Sequence, residues 1–419
     1  MSGARDADHH DVVVVGGGPA AATMVMRLVT GGFARSVVLL TEEDLPPYDR
    51  TVVSKGMLAD PSATPPPLFA DAVGPVTRTG TRVDRIDPDR HVVELANGSP
   101  VGFGTLVLAT GAEPWVPPIE GAALPGVSVL RRAADAVALR RRFGEGSTDL
   151  AIVGGGVIGL EVAAVATERG CRVTVLEATP RPMARVLPPA VVAPLLEEHR
   201  AAGVDVRLAV QPKTIEAHHG RLRVTGRDHA GAETTLVACE HVLIATGARP
   251  RSALAEAAGL AVNDGVLVDD QLRTSHPDIL AIGDVARVRA ADGSSVRTES
   301  YTDAMAMGQH AAAALAGNAS PYEQVPWSWS DQYDLTVQAT GWPDHVDTWV
   351  DRGDPARLED ALVSIGLADG RIVAAAGISR GRAVGRIIKG AQAAIGARAS
   401  LTAEQAADPT VDLRRLARS

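Results

Sequence analysis

A run of four valines that breaks into glycines, VVVVGGGPA at residues 12–20, most narrows what this chain can fold into, because the chain does it twice. Gly16, Gly18 and Ala21 match G-x-G-x-x-G/A, and residues 20–29 continue with helical composition. In the second copy, AIVGGGVIGLE at residues 151–161, Gly154, Gly156 and Gly159 fit the stricter form of the same fingerprint. A β-branched strand, a glycine turn and a helix together bring free backbone N–H groups and positive helix-dipole charge up to a pyrophosphate. Alone the fingerprint is a weak signal, since glycine-rich strand–helix turns also occur for packing.

The spacing is the stronger signal. VLATGAEP at 107–114 and LIATGARP at 243–250 form a second matched pair; Gly16 to Gly154 is 138 residues and Ala109 to Ala245 is 136. Two different motifs kept in step indicate a duplicated architecture, hence two dinucleotide-binding folds of similar build. An acidic residue is expected about 20 positions after each fingerprint, to hold ribose hydroxyls. Residues 37–40 read as a strand ending at Thr41-Glu42-Glu43, and residues 171–177 as a strand ending on Glu177.

At 419 residues the chain is too long for one ordinary core, and two or three domains are expected. A formal charge of −9 gives no global basic surface for nucleic acid. No long uncharged apolar run and a polar, acidic stretch over residues 1–11 read as neither membrane span nor signal peptide. The only cysteines, Cys171 and Cys239, are unlike a secreted disulfide scaffold, so a cytoplasmic protein is expected. They stand 68 residues apart, each beside a predicted strand, and read as buried structural thiols rather than a redox pair.

Short alternating segments between residues 76 and 108, with the Asn97-Gly98 turn signal, read as a meander that residues 204–243 repeat. Residues 114–126, rich in Pro and Gly, read as a crossing between domains, and residues 131–143 as a helix. The apolar run ending at Gly283-Asp284 reads as a buried parallel strand whose carboxylate emerges at the ligand-binding edge of a sheet. Residues 299–317 read as an alanine-rich helix with Ser300 as N-cap. From residue 327 the character changes: Trp327, Trp329, Trp342 and Trp349 appear among strand-like stretches, followed by a helix over 382–395. The expected architecture is α/β: two Rossmann-like domains, one inserted in the other, plus a C-terminal α+β domain. The expected limits are 1–116 with 248–325, 117–247, and 326–419.

The whole pattern resembles the FAD-dependent NADH:ferredoxin reductases of oxygenase systems, the putidaredoxin and rubredoxin reductase-like branch of the two-dinucleotide-fold flavoproteins. The resemblance runs from Val12 to Leu416. Its narrower signals are Tyr48 with Ser54-Lys55, Glu299-Ser300, PWSWSDQY at 326–333 and the Asp408-Pro409…Val411-Asp412-Leu413 close. It implies that Gly16, Gly18 and Ala20 cradle the FAD pyrophosphate and that Glu42, with Glu43 as alternative, takes the adenosine ribose. Val83, Arg131 and Asp284 would also contact FAD, and Tyr301 would open the helix facing the flavin pyrimidine edge, where negative charge develops on reduction. Thr110 and Gly111 of the first Ala-Thr-Gly motif, and Gly247 of the second, belong to the cofactor-binding set. Gly154, Gly156 and Gly159 would hold the NADH pyrophosphate and Glu177 its ribose diol. A carboxylate there repels a 2′-phosphate and Ala178-Thr179 supply no arginine, which favours NADH over NADPH, with Arg181 as the nearest opposing charge.

The resemblance further pairs Lys55 with Glu161 beside the flavin N5 and nicotinamide, although this chain has Thr51-Val52-Val53 where the family usually has Pro-Pro-Leu. It sets Trp329 at the flavin ring. Arg382, Arg386 and Lys389 share one helix face and would steer a small acidic iron–sulfur ferredoxin. The implied reaction takes hydride from NADH and releases electrons singly, with no thiol relay, from a monomer or homodimer. A flavoprotein NADH reductase of a small-molecule acceptor (quinone, radical or oxygen), or a redox sensor like apoptosis-inducing factor, are the alternatives on the same scaffold.

Overall fold

The structure, a computed structural model, describes residues 8–144, 148–290 and 293–417. The start of the acidic N-terminus, residues 1–7, lies outside the described residues. The backbone divides into two compact units. One takes the chain up to Arg50 with Pro65–Glu113 and Ala248–Gln324; the other comprises Thr51–Thr64, Pro114–Gly247 and the chain from Val325 onward.

In the first unit the valine run becomes the strand His9–Val15, and Val12 to Val15 are all buried. A strand covered on both faces needs such a continuous apolar run. It pairs in parallel with Val37–Leu40 on one side and Pro100–Leu108 on the other. Pro100–Leu108 also takes Ile279–Ala281 in parallel, with Ile279 opposite Leu106, while the meander strands Val83–Asp87 and Val92–Leu95 extend the same sheet antiparallel. The helix Pro19–Thr30 follows the first glycine turn, with proline in its first turn, where no intrahelical N–H partner is lost. It packs on the helix Tyr301–Leu315, whose N-cap Ser300 accepts the Asp303 N–H at 3.1 Å.

The second unit repeats the plan in an all-parallel sheet ordered Asp205–Arg207, Arg172–Leu176, Asp149–Val153, His241–Ile244, Val127–Ser128. Its meander, Gln211–His218, Arg221–Arg227 and Glu233–Cys239, forms a separate three-stranded sheet. The helix expected over 131–143 is regular only over Ala133–Arg140, followed by a 3-10 turn. The Asp135 carboxylate accepts both the Arg131 and Arg132 N–H groups, at 2.9 and 2.8 Å, and so fixes the later start. The C-terminal part is a five-stranded antiparallel sheet with the helix Ala383–Gly396 laid on it through buried Val384, Ile388, Ala391 and Ala394.

The contact between the two helices of the first unit depends on Gly308: a Cβ there would stand 2.2 Å from the Ala20 carbonyl oxygen. Alanine normally favours a helix interior over glycine by about 1 kcal/mol, yet here it forces the helices apart. Gly308→Ala is therefore expected to lower stability by about 1–3 kcal/mol in denaturant titration, opposite in sign to the helix propensity.

Candidate functional site

Each glycine turn is built in the same three steps. Gly16 adopts φ +117 and Gly154 φ +108, a region that excludes side chains. A Cβ at Gly16 would stand 2.1 Å from the Ala109 carbonyl oxygen, and one at Gly154 2.4 Å from that of Ala245, so each turn locks onto its own Ala-Thr-Gly motif. A Cβ on the next glycine would meet the side chain just past the second strand: Thr41 Oγ1 at 2.6 Å for Gly17, Glu177 Oε2 at 3.2 Å for Gly155. The third, Gly18 or Gly156, faces almost open space and is the helix N-cap with no side-chain cap. Uncapped N–H groups above an open backbone form an anion site of pyrophosphate type.

The copies differ in informative ways. Gly159 cannot carry a Cβ, which would lie 2.1 Å from the Gly154 carbonyl oxygen, whereas Ala21 is accommodated fully buried. Glu177 receives the Gly155 N–H at 2.7 Å on one oxygen and the Thr179 N–H and hydroxyl, each at 2.7 Å, on the other. Gly16 N–H bonds Leu40 O as Gly154 N–H bonds Leu176 O, so Thr41 occupies the place of Glu177. Glu42, one residue on, pairs with Arg251 at 2.5 Å. Glu43 holds the following loop, pairing with Arg50 at 2.5 Å and accepting the Tyr48 hydroxyl at 2.7 Å.

Around the first cradle the structure gathers several expected residues. Thr110 Oγ1 donates to Arg251 O at 2.9 Å, and Gly111 O accepts the Arg251 N–H at 2.9 Å. A Cβ at Gly283 would meet Ala20 Cβ at 3.0 Å, which brings the Gly283–Val285 turn, with half-buried Asp284, beside the first helix. Val83 opens its strand and is half-buried; burial pushes the Tyr301 hydroxyl up to about 12. Arg131 belongs to the second unit, as do Lys55 and Trp329.

In that second unit Lys55 Nζ stands 2.6 Å from Glu161 Oε1. Thr51-Val52-Val53 thus delivers Lys55 to its expected partner through the 3-10 turn Arg50–Val52 and the helix Gly56–Ala59. Glu161 is the fifth residue of the helix Val157–Glu168, so it lies in the second turn, and it is only 2% exposed. A carboxylate that deep is tolerated only when paired and hydrogen-bonded. Besides Lys55, Ser54 Oγ donates to its Oε2, and Ser330 Oγ to its Oε1 at 2.6 Å. Trp329 lies on the opposite face of its strand from Ser330 and stacks on Trp327, ring centroids 5.2 Å apart.

Sequence reasoning assigned no role to Arg251, Trp115 or Arg185, and none to Ser54 and Ser330 beyond their place in the Ser54-Lys55 and 326–333 motifs. The backbone N–H of exposed Trp115 donates to Gly247 O at 2.9 Å, and Arg185 Nη2 would lie 3.4 Å from a Cβ on Gly247, so the Trp115 backbone and a guanidinium flank the second Ala-Thr-Gly turn. The Arg181 guanidinium donates to Ala184 O at 3.3 Å. Cys171 and Cys239 are buried and unbridged, and burial pushes the Cys239 thiol up to about 11, far from a reactive thiolate. Among the described residues no helix is long and apolar enough to cross a membrane.

The family described as pyridine nucleotide-disulphide oxidoreductase matches residues 10–308, and that described as reductase C-terminal matches residues 327–417. The ferredoxin–NAD(+) reductase component of the anthranilate 1,2-dioxygenase system of Burkholderia cepacia is 36% identical over 90% of this chain and 92% of its own length. Rhodocoxin reductase of Rhodococcus erythropolis is 35% identical over 91% of this chain and 88% of its own. Among solved structures, the ferredoxin reductase for the CYP199A2 system from Rhodopseudomonas palustris superposes with a TM-score of 0.87 at 32% identity, covering 97% of this chain and 100% of that one. The covalent putidaredoxin reductase–putidaredoxin complex gives a TM-score of 0.87 at 29% identity, covering 98% of both chains.

Asp303, in the first turn of the helix Tyr301–Leu315, adds a pH dependence. Burial pushes its carboxyl up to about 6 from an ordinary 3.8, against the opposing pull of the Thr298 and Ser300 side chains. The native state therefore holds this proton more tightly than the unfolded chain, and stability falls as pH rises from about 4 to about 6. Asp303→Asn is expected to leave stability near pH 4 unchanged and to raise it at pH 7.5 by about 2–3 kcal/mol, read by urea unfolding at both pH values.

Proposed function

We propose, from the premise that the chain belongs to the pyridine nucleotide-disulphide oxidoreductase family, that it passes electrons from NADH through FAD to a small iron–sulfur ferredoxin that feeds an oxygenase. The observation that carries this reading is the pair of uncapped, interlocked glycine cradles in a chain whose only cysteines are buried and apart. Two cradles serve two dinucleotides, and electrons leave without a thiol relay.

In this reading residues 1–116 and 248–325 hold FAD, 117–247 hold NADH, and 326–419 form the third domain. The first cradle fits FAD on its own geometry, because Gly18 leaves open backbone at an uncapped helix N-terminus. Gly16, Gly18 and Ala20 take its pyrophosphate, with Thr110, Gly111, Val83, Arg131, Asp284 and Tyr301 completing the set. For the ribose we favour Glu42, since Glu43 is committed to Tyr48 and Arg50. In the second cradle Gly154, Gly156 and Gly159 take the NADH pyrophosphate, Gly247 completes the cofactor-binding set, and Glu177, fixed at both oxygens, receives the ribose diol. The flavin supplies the conversion from hydride to single electrons. Lys55 supplies positive charge and Glu161 holds it in place; Trp329 limits solvent at the ring.

Steady-state turnover tests the reading: fast NADH oxidation with an iron–sulfur ferredoxin and slow oxidation with oxygen is expected. Slow turnover with every acceptor and a long-lived reduced-flavin–NAD complex would instead indicate a sensor, and fast turnover with quinones alone a small-molecule reductase.

Arg382, Arg386 and Lys389 are exposed at and beyond the start of the helix Ala383–Gly396. On a chain of net charge −9 they form a local positive face suited to an acidic ferredoxin. Replacing all three by Gln is expected to raise KM for ferredoxin by about tenfold while leaving KM for NADH unchanged, an effect that shrinks with added salt. Equal changes in both constants would remove the docking role.

A further inference from the structure

The segment 326–333 contains more than its tryptophans. Along the strand Trp327–Gln332 side chains alternate, and Ser330 and Gln332 are buried while Asp331 between them is exposed. Two buried polar side chains in succession on one face of a strand require partners. Gln332 Nε2 lies 3.0 Å from Ser330 Oγ, and Gln332 Oε1 2.8 Å from His199 Nε2. The His199 Nδ1 lies 3.1 Å from the Tyr333 hydroxyl. His199 comes from the helix Pro189–Ala201 and is fully buried; burial holds its imidazole below its ordinary pKa, so it carries a single ring proton.

Donor and acceptor chemistry fixes the direction of the whole chain. An ionised carboxylate only accepts, so Ser330 donates its hydroxyl hydrogen to Glu161. Ser330 then accepts from the Gln332 amide N–H, which turns the Gln332 oxygen toward His199. That oxygen takes the Nε2 proton, leaving Nδ1 to accept from Tyr333. Four donors in succession point toward one buried carboxylate.

We infer that Ser330, Gln332 and His199 are positioning residues, a directional hydrogen-bond chain that holds the Glu161 carboxylate fixed toward Lys55 so that the lysine charge is available for hydride transfer. Polarised chains of this kind strengthen each successive bond, and the last one, to the carboxylate, is charge-assisted. The inference rests on the proposed role of the Lys55–Glu161 pair in the hydride step.

The test is anaerobic stopped-flow reduction of the FAD-loaded enzyme by NADH, giving the limiting rate and the NADH Kd separately. Ser330→Ala and Gln332→Leu are expected to slow the limiting rate about tenfold with NADH Kd and FAD content near those of the unaltered enzyme, and Ser330→Thr, which keeps the hydroxyl, to recover most of the rate. Glu161→Gln is measured alongside. If Glu161→Gln reduces at the unaltered rate, the reading of the Lys55–Glu161 pair itself fails. If Glu161→Gln is slow while Ser330→Ala and Gln332→Leu are not, the pair stands and the positioning chain is overturned. Slow reduction in Ser330→Thr equal to that of Ser330→Ala also overturns it, since packing rather than the hydroxyl would then be responsible.

Discussion

At the end of the first strand of each nucleotide fold, the backbone passes so close to the carbonyl of an Ala-Thr-Gly turn that no side chain fits between them. The approach is made by Gly16 on Ala109 and by Gly154 on Ala245, each with positive φ. This contact makes strand end, glycine turn and helix N-terminus a single part in each fold. It also keeps the third glycine of each turn open, with no side chain capping the helix behind it. An anion site created this way needs no charged residue of its own, because N–H groups and the helix dipole supply the field.

The two cradles have diverged around that shared contact. The second keeps Glu177 at the strand end, bonded to the Gly155 N–H, while the first has Thr41 there and moves its acids one and two residues on. Of the two cradle helices, the second carries a buried carboxylate, Glu161, which is served by Lys55 and Ser54 from residues 51–64 and by Ser330 from the C-terminal sheet. One carboxylate thereby ties three distant segments of the second unit together, and removing any one partner would leave charge unsatisfied in a low-dielectric interior.

The parts legible in the sequence were those written locally. The valine runs, the glycine turns, Ser300 as a cap and the parallel strand before Gly283-Asp284 follow from short-range sterics and periodicity, and their offset between copies exposed the duplication. The helix expected from residue 131 started later because the Asp135 side chain competes for its first N–H groups. Ser54 and Ser330 stand inside motifs the sequence shows, yet their role is not legible there because their shared partner Glu161 lies 107 and 169 residues away, as the partner of Arg251 lies 209 away. The alternation in Trp327–Gln332 sets Ser330 and Gln332 on one face and the tryptophans on the other, but it does not say which distant groups the polar face meets.

In the proposed reading, with both thiols buried, current leaves from the flavin itself, and the protein contributes alignment, local charge and exclusion of water rather than covalent chemistry. Anaerobic titration of the purified, FAD-incubated chain with NADH, followed through the flavin's visible absorption, tests this most directly. The account predicts a yellow protein holding one FAD per chain and bleached by one equivalent of NADH, with the thiols unchanged by alkylation assay before and after. A chain that stays colourless with FAD, or a bound flavin that NADH does not bleach, would contradict it.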